Sequence, residues 1–165
     1  MSKLPYVAVA AGLLIAGQAS ADPSAADRAF AMKAAQGGMA ELQAGQLAVQ
    51  RASSAQVKQF GERMVTDHTQ ANQDLQQVAQ QDNLTLPAQP SATQTAEARR
   101  LSSLHGSDFD HAYIQYAVTD HRQDVAEFRR EAQSGHDPAL KGFAQKYLPV
   151  IQHHLQMAQS LQTQG

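Results

Sequence analysis

The sequence predicts an all-α protein, a four-helix bundle with a long connector that carries a short helix between the second and third long helices. Three observations favour this class. Apolar residues recur at steps of three and four along four stretches, which is the spacing of one helical face. Ala and Gln are abundant and Trp is absent, a composition that favours helix over strand. Ser or Asp stands where several of these stretches begin, as helix caps do.

Composition excludes several classes of function. The chain has 165 residues, which suits one domain, and its 13 Lys plus Arg face 15 Asp plus Glu. This balance gives no basic surface for nucleic acid. The absence of cysteine excludes disulfides, thiolate nucleophiles and cysteine-ligated zinc or iron–sulfur sites. No P-loop, dinucleotide fingerprint or serine-hydrolase motif occurs.

Residues 1–21 are predicted to be a signal peptide. A lysine near the N-terminus precedes a short apolar run over residues 6–16, and Ala19-Ser20-Ala21 matches the small-residue cleavage pattern. The run is shorter than the roughly 20 residues that a membrane span needs. We therefore expect cleavage before Asp22, a single domain over residues 22–165 without a transmembrane span, and a periplasmic or secreted location.

The first two long helices are predicted over residues 24–52 and 54–82, with serine caps at Ser24 and Ser54. The connection between them is so short that they must form an antiparallel hairpin. Measured from this turn, Glu41 and His68 lie within about 3 Å of the same level, given the rise of about 1.5 Å per residue. The two side chains are therefore expected to face each other.

The first helix contains three glycines, Gly37, Gly38 and Gly45. Each lowers helix stability by roughly 1 kcal/mol relative to Ala. We expect that they compensate by letting a neighbouring helix approach closely.

The connector and the second hairpin follow. A short helix is expected over residues 95–104, ended by Gly106, and the third long helix is expected to start with Ser107 as its cap. The connector is long enough to cross the bundle or to return at the same end. The fourth long helix begins clearly, because Asp137 is a good cap and Pro138 suits the first helical position.

One metal-competent residue stands in the middle of the apolar stripe of each long helix. These residues are Glu41, His68, His121 and His154. The six-residue segment Val65–Gln70 is repeated as Val118–Gln123 with a single difference, and each copy places its histidine on the apolar stripe. Because an unpaired buried polar group costs roughly 1–3 kcal/mol, the two copies predict a shared polar centre in which both histidines turn inward.

Along the helix axes, His154 is predicted to lie about 6 Å from the level of His121, so it fits this centre least well. His153 is the neighbouring alternative. Pro149 precedes both. A proline inside a helix removes a backbone hydrogen bond and kinks the helix, so we expect a kink or bulge that moves one of the two histidines toward the centre.

An ordered set of short motifs runs through the mature chain. They are Ala34–Glu41, Phe60-Gly61 with Met64 and Asp67-His68, Leu86-Pro87, Phe109-Asp110 with Tyr113, Asp120-His121, and Leu148-Pro149 with His154. This set resembles the domain-of-unknown-function 4142 family of exported bacterial proteins, often labelled membrane or outer-membrane proteins. The resemblance implies a ferritin-like four-helix bundle. It implies little biochemistry, because the function of that family is unsettled.

The chain departs from di-iron ferritin-like proteins, which carry a Glu-x-x-His motif on each of two helices. Here Val65, Val118 and Ile151 stand three positions before the stripe histidines. Three His and one Glu suit a single Zn, Fe, Mn or Cu ion better. In that site Asp67 and Asp120 are expected to orient or flank the histidines.

Two interpretations of the centre remain open. It binds one transition-metal ion, or it is a buried hydrogen-bond network that fixes helix register. The favoured hypothesis is an exported bundle protein whose His/Glu centre binds a metal, with no catalytic residue assigned. One alternative is a non-catalytic envelope or stress protein that acts through its surface, and a second is a metal-dependent redox enzyme.

Overall fold

The structure, a computed structural model, describes residues 22–163. In this range the chain forms five helices and no strand: α1 (Ala25–Arg51), α2 (Ala55–Gln81), α3 (Ala92–Ser102), α4 (Gly106–Ser134) and α5 (Pro138–Gln162). The predicted all-α class is confirmed. No helix in the described range combines the length and the apolar character that crossing a membrane requires. The predicted signal peptide lies outside the described residues.

Side-chain caps fix where three of the long helices begin. The Ser24 hydroxyl accepts from Asp27 N at 3.2 Å, and the Asp27 carboxylate accepts from Ser24 N at 2.7 Å, so both form a capping box at α1. Ser54 caps α2 by accepting from Val57 N. Asp137 caps α5 by accepting from Leu140 N at 2.8 Å. These predicted starts are confirmed.

The structure corrects the predicted ends of α3 and α4. The short helix α3 begins before residue 95, because Ser91 and Gln94 form a second capping box. Gly106 does not end it but is the first residue of α4, with φ of +61°. His105 holds the N-cap position without a side-chain hydrogen bond, so Ser107 is not the cap. Glycine adopts positive φ as easily at a helix entrance as at an exit.

The backbones of α1 and α2 approach closely at two glycines. A Cβ atom on Gly61 would lie 2.7 Å from Ala48 Cβ and 2.9 Å from the carbonyl oxygen of Gly45. The predicted role of Gly45 is therefore confirmed. The prediction of close helix approach was wrong for Gly37, because a Cβ there would meet no atom within 4 Å. Gly37 instead borders a cleft.

Hydrogen bonds at both ends define how the two hairpins, α1–α2 and α4–α5, are joined. Ser53 N and Ser54 N in the first turn donate to the Asp110 carboxylate at 3.1 and 2.9 Å, so α4 begins beside that turn. His136 N and Asp137 N, at the second turn, donate to the Asp27 carboxylate near the start of α1. Of the two routes left open by the sequence, the connector therefore takes the one along the full length of the hairpins.

The hairpins pack so that α1 lies against α4 and α2 against α5. Their interior contains two apolar clusters. One lies toward the first turn and includes Phe60, Phe109 and Tyr113. The other lies toward the second turn and includes Phe30, Phe128, Leu140 and Phe143. A polar layer separates the two clusters, because one stripe position on each long helix carries His or Glu.

Candidate metal centre

The four stripe residues meet in this polar layer. Glu41 is 2% exposed, His68 5%, and His121 and His154 are each fully buried. The ring centroids of His68 and His121 lie 6.0 Å apart, and each lies 5.4 Å from that of His154. His153 is exposed, so His154 is the α5 residue that faces the centre. The helix α5 runs through Pro149 to reach it.

The histidines of the two repeated segments meet across the bundle in the predicted rotation, with ring centroids 6.0 Å apart. Thr66 and Thr119, two positions before the histidines, are both exposed. Their hydroxyls donate to carbonyl oxygens one turn earlier in the same helix, at 3.0 and 2.9 Å. Because two positions correspond to about 200° of helical rotation, exposure of the threonines accompanies burial of the histidines.

One nitrogen of each imidazole is held by a neighbouring polar group. His121 Nδ1 donates to the carbonyl oxygen of Ala117 at 2.9 Å. His68 Nδ1 lies 3.2 Å from Glu41 Oε2, which confirms the predicted pairing across the first hairpin. Glu41 Oε1 lies 3.2 Å from His121 Nδ1 but accepts no hydrogen bond, since that hydrogen is directed at Ala117.

The third imidazole is held from α2. His154 Nε2 donates to Asp67 Oδ2 at 2.8 Å, and Arg63 also donates to this carboxylate. Burial alone would raise the pKa of Asp67, yet the hydrogen bonds from His154 and Arg63 keep that pKa below its ordinary value. Asp67 is therefore a carboxylate that orients a histidine of the centre, although the histidine is His154 and not its neighbour His68.

Within residues 22–163, the other nitrogen of each ring has no hydrogen-bond partner. These atoms are His68 Nε2, His121 Nε2 and His154 Nδ1. One nitrogen from each of the three rings lies within 4.8 Å of the others. A buried nitrogen without a partner costs roughly 1–3 kcal/mol. Metal-ligating histidines show this pattern, in which one ring nitrogen is held by a carboxylate or carbonyl and the other is free for the ion.

Burial keeps the imidazoles neutral. It lowers the pKa of His68 well below the ordinary value, and the neighbouring His121 and His154 lower it further. The pKa of His121 falls to about 3, through burial and then through His154. Burial also lowers the pKa of His154, against the opposing effect of Asp67. Neutral imidazole is the form that binds metal ions.

A second group of side chains adjoins the histidines. Carboxylate oxygens of Glu41, Asp120 and Asp124 lie within 4.8 Å of one another. Burial raises the pKa of Glu41 well above its ordinary value, and the charges of Asp124 and Asp120 raise it further. Asp120 accepts from the Tyr116 hydroxyl at 3.1 Å and contacts no histidine nitrogen by hydrogen bond.

Sequence reasoning did not include Asp124 among the site residues. Its signal was its spacing, since it follows Asp120 by four positions and His121 by three, which places all three on neighbouring parts of one helical face.

A narrow cleft adjoins the centre. Its free space is about 20 Å³, roughly the room that one water molecule needs. Its polar walls include Glu41, His68, His154, Asp67 and Asp124. Apolar walls come from α1, α4 and α5, and Gly37 leaves room at the α1 side because it has no side chain. The polar layer therefore borders a space large enough for about one water molecule.

The family model for a domain of unknown function (DUF4142) matches residues 14–161. The chain belongs to this family. The resemblance inferred from the ordered motifs is thus confirmed. No curated protein matches the sequence.

Two solved structures of another family of unknown function, DUF305, are similar in fold. A DUF305 fragment from Deinococcus radiodurans has a TM-score of 0.76 at 11% identity, over 88% of this chain and 100% of the fragment. A DUF305 protein from Streptomyces coelicolor, described as secreted, has a TM-score of 0.70 at 15% identity, over 82% of this chain and 89% of that one. At these identities the likeness concerns the fold alone.

Proposed function

We propose that this DUF4142 protein is exported and binds one transition-metal ion through His68, His121 and His154. The observation that carries the proposal is a cluster of three buried imidazoles, in which each ring has one nitrogen without a partner and one nitrogen of each ring lies within 4.8 Å of the others. A hydrogen-bond network would be expected to satisfy these atoms, because unsatisfied buried groups are rare. A bound ion would satisfy all three at once.

The residues fit such an ion in chemistry as well as in position. Three neutral nitrogen ligands suit Zn or Cu better than Mn, which prefers oxygen. Zn–N bonds of about 2.0–2.1 Å in a tetrahedral site place neighbouring nitrogens about 3.4 Å apart. One nitrogen from each ring already lies within 4.8 Å of the others, so small inward movements of the rings would reach this spacing. A fourth position would remain for water or an exogenous ligand.

Glu41, which the sequence assigned as a fourth ligand, has a different place in this proposal. Its carboxylate lies on the Nδ1 side of His68, opposite the free Nε2. It therefore orients His68 as Asp67 orients His154, and a carboxylate in this position raises the basicity of the ligating nitrogen.

We further propose a ferritin-like four-helix arrangement and export through the predicted signal peptide. Two antiparallel hairpins joined by a connector along their full length support the first. Export is supported by the apolar run before Ala19-Ser20-Ala21. It is also supported by the structurally similar Streptomyces coelicolor protein, which is described as secreted. N-terminal sequencing of exported protein is expected to begin at Asp22, and a retained Met1 would contradict cleavage.

Metal content tests the main proposal. Protein purified without a histidine tag is stripped with chelator, offered Zn²⁺ or Cu²⁺, and examined by elemental analysis and calorimetry. We expect about one ion per chain at the three-histidine site, as fits one set of ligands. His154→Ala should lose it, whereas His153→Ala, a change at the exposed neighbouring histidine, should retain it.

Circular dichroism separates loss of a ligand from loss of the fold in these variants. If folded His68→Ala, His121→Ala and His154→Ala bind metal as tightly as the wild type, the three-histidine site is refuted. If the wild type binds no metal and the variants lose only stability, the centre is a hydrogen-bond network. That result would favour the alternative of a non-catalytic envelope protein over a metal-binding one.

A metal-dependent redox enzyme is the second candidate. The cleft beside His68 and His154 favours it, because it leaves room for about one water-sized molecule next to the proposed ion. Turnover of hydrogen peroxide by metal-loaded protein, absent from folded His154→Ala, would support this function. Tight metal binding without turnover would leave a storage, transport or structural site.

A further inference from the structure

We propose a second cation site beside the first, formed by Glu41, Asp120 and Asp124, for a hard divalent ion such as Mn²⁺, Mg²⁺ or Ca²⁺. The site uses carboxylate oxygens only. It shares Glu41 with the proposed histidine site but does not depend on whether that site is filled. The two sites together would form an asymmetric pair, rich in nitrogen on one side and in oxygen on the other.

The spacing of the three carboxylates fits an ion between them. Their oxygens lie within 4.8 Å of one another. Oxygen ligands on opposite sides of Ca²⁺, each bound at about 2.3–2.6 Å, are about 4.6–5.2 Å apart. Smaller ions such as Mn²⁺ would draw the three groups slightly inward. Glu41 approaches from α1, whereas Asp120 and Asp124 project from successive turns of α4.

A second observation comes from Glu41 itself. The residue is 2% exposed, and its Oε1 atom accepts no hydrogen bond. A buried carboxylate oxygen without a partner is costly, because the charge has lost its hydration. The carboxylate contacts histidines only through 3.2 Å approaches to His68 and His121. A cation held with Asp120 and Asp124 would satisfy the oxygen.

No side chain of opposite charge balances this group. Within residues 22–163 no Lys or Arg forms an ion pair with Glu41, Asp120 or Asp124. Glu127 also lies near Asp120 and Asp124, but it forms an ion pair with Lys33. A divalent cation bound between the three carboxylates would supply the missing positive charge.

The chemistry of the ligands selects the class of ion. Carboxylates and water suit Mg²⁺, Mn²⁺ and Ca²⁺, whereas imidazole nitrogens suit Zn²⁺ and Cu²⁺. Three carboxylates leave several coordination positions for water, as hard cations require. Glu41 and Asp124 both border the neighbouring cleft, which has room for about one water ligand of the ion.

The test uses Mn²⁺, whose aqueous electron paramagnetic resonance signal falls as the ion binds. Protein residues 22–165 are first given Zn²⁺ to fill the histidine site and then titrated with Mn²⁺, with Ca²⁺ as competitor. We expect about one Mn²⁺ bound beyond the zinc. Asp120→Asn and Asp124→Asn should each weaken Mn²⁺ binding by about tenfold or more, the loss typical of even indirect metal partners, while zinc binding remains.

Two variants separate this proposal from the histidine site. His154→Ala should lose zinc and retain Mn²⁺, and Glu62→Gln, at an exposed carboxylate on α2, should retain both. Failure of zinc binding with Mn²⁺ still bound would defeat only the histidine proposal. A wild-type protein that takes up no Mn²⁺, or folded Asp124→Asn and Asp120→Asn variants that bind it as tightly as the wild type, would overturn the second site.

Discussion

Asp67 on α2 accepts a hydrogen bond from His154 Nε2 on α5 at 2.8 Å and thereby leaves Nδ1 as the buried nitrogen without a hydrogen-bond partner in residues 22–163. Because the proton resides on the Nε2 side, the lone pair of Nδ1 is available to an ion. The same contact links the two hairpins, since α2 belongs to the first and α5 to the second.

Asp67→Asn should weaken zinc affinity by about tenfold or more, because carboxylate partners of ligating histidines contribute this much. The amide has no charge to stabilise the Nε2–H form. Competition with a chromophoric chelator measures the affinity. The matched control is Glu62→Gln, which changes an exposed carboxylate five positions earlier in α2. Unchanged affinity in folded Asp67→Asn would show that Asp67 does not orient a metal ligand.

Gly61→Ala should destabilise the protein by about 1–3 kcal/mol, the usual cost of overpacking. Its Cβ would lie 2.7 Å from Ala48 Cβ and 2.9 Å from the backbone oxygen of Gly45, so a whole helix must shift. Urea unfolding measures the change. Gly142→Ala in α5, where a Cβ meets nothing within 4 Å, should instead add up to about 1 kcal/mol through helix propensity. Equal stability changes in both variants would contradict close packing at Gly61.

The contribution of Glu131 to stability should fall as the pH rises from about 4.5 to about 7. Burial, followed by the nearby Asp27 and Asp137, raises the pKa of Glu131 from 4.5 to about 7. The folded state therefore holds a proton that the unfolded state has released between these values, and its stabilising effect is lost as the pH rises through about 7. Asp27 and the three buried histidines act oppositely, because their pKa values are lowered in the folded state.

Glu131→Gln tests this dependence, because the amide is uncharged throughout. Urea unfolding at pH 5 and pH 8 should show that the stability of the wild type relative to the variant is lower at pH 8 than at pH 5, because the effect of the histidines is common to both proteins. Glu62→Gln, at an exposed position, should follow the wild type. An identical pH profile in wild type and Glu131→Gln would exclude Glu131 as the responsible group.

Pro149→Ala should leave the free energy of unfolding unchanged or raise it, because alanine restores the backbone hydrogen bond to Gln145 that proline cannot make. His154 lies further along the same helix, so its position relative to the centre should change and zinc affinity with it. Calorimetry and urea unfolding measure the two effects. The control is Gln156→Ala, at an exposed position of α5. Lower stability with unaltered zinc affinity would contradict the proposed role of Pro149.

Local chemistry explains which helix boundaries the sequence predicts well. Ser24, Ser54 and Asp137 act through hydrogen bonds to residues three positions away, so their effect is visible in a short segment. Ser91 offered the same signal with Gln94 and was overlooked. Gly106 misled because its positive φ is compatible with both the end and the start of a helix.

Long-range contacts explain what the sequence could not decide. The path of the connector depends on Asp110 at one end and Asp27 at the other, and both accept hydrogen bonds from residues far along the chain. Periodicity placed Glu41 and the three histidines on inward stripes, because each helix has only one apolar face. It could not show that Asp124 lies against Glu41, since that contact depends on how α1 packs on α4.

The distribution of the three histidines sets an order of events during assembly. His68 belongs to the first hairpin, whereas His121 and His154 belong to the second. Each hairpin joins helices adjacent in the chain and can form early, whereas contacts between distant segments form later. A single hairpin therefore offers at most two of the three imidazoles. Full coordination would occur only after the hairpins dock, so a tightly held ion would mark molecules that have completed folding.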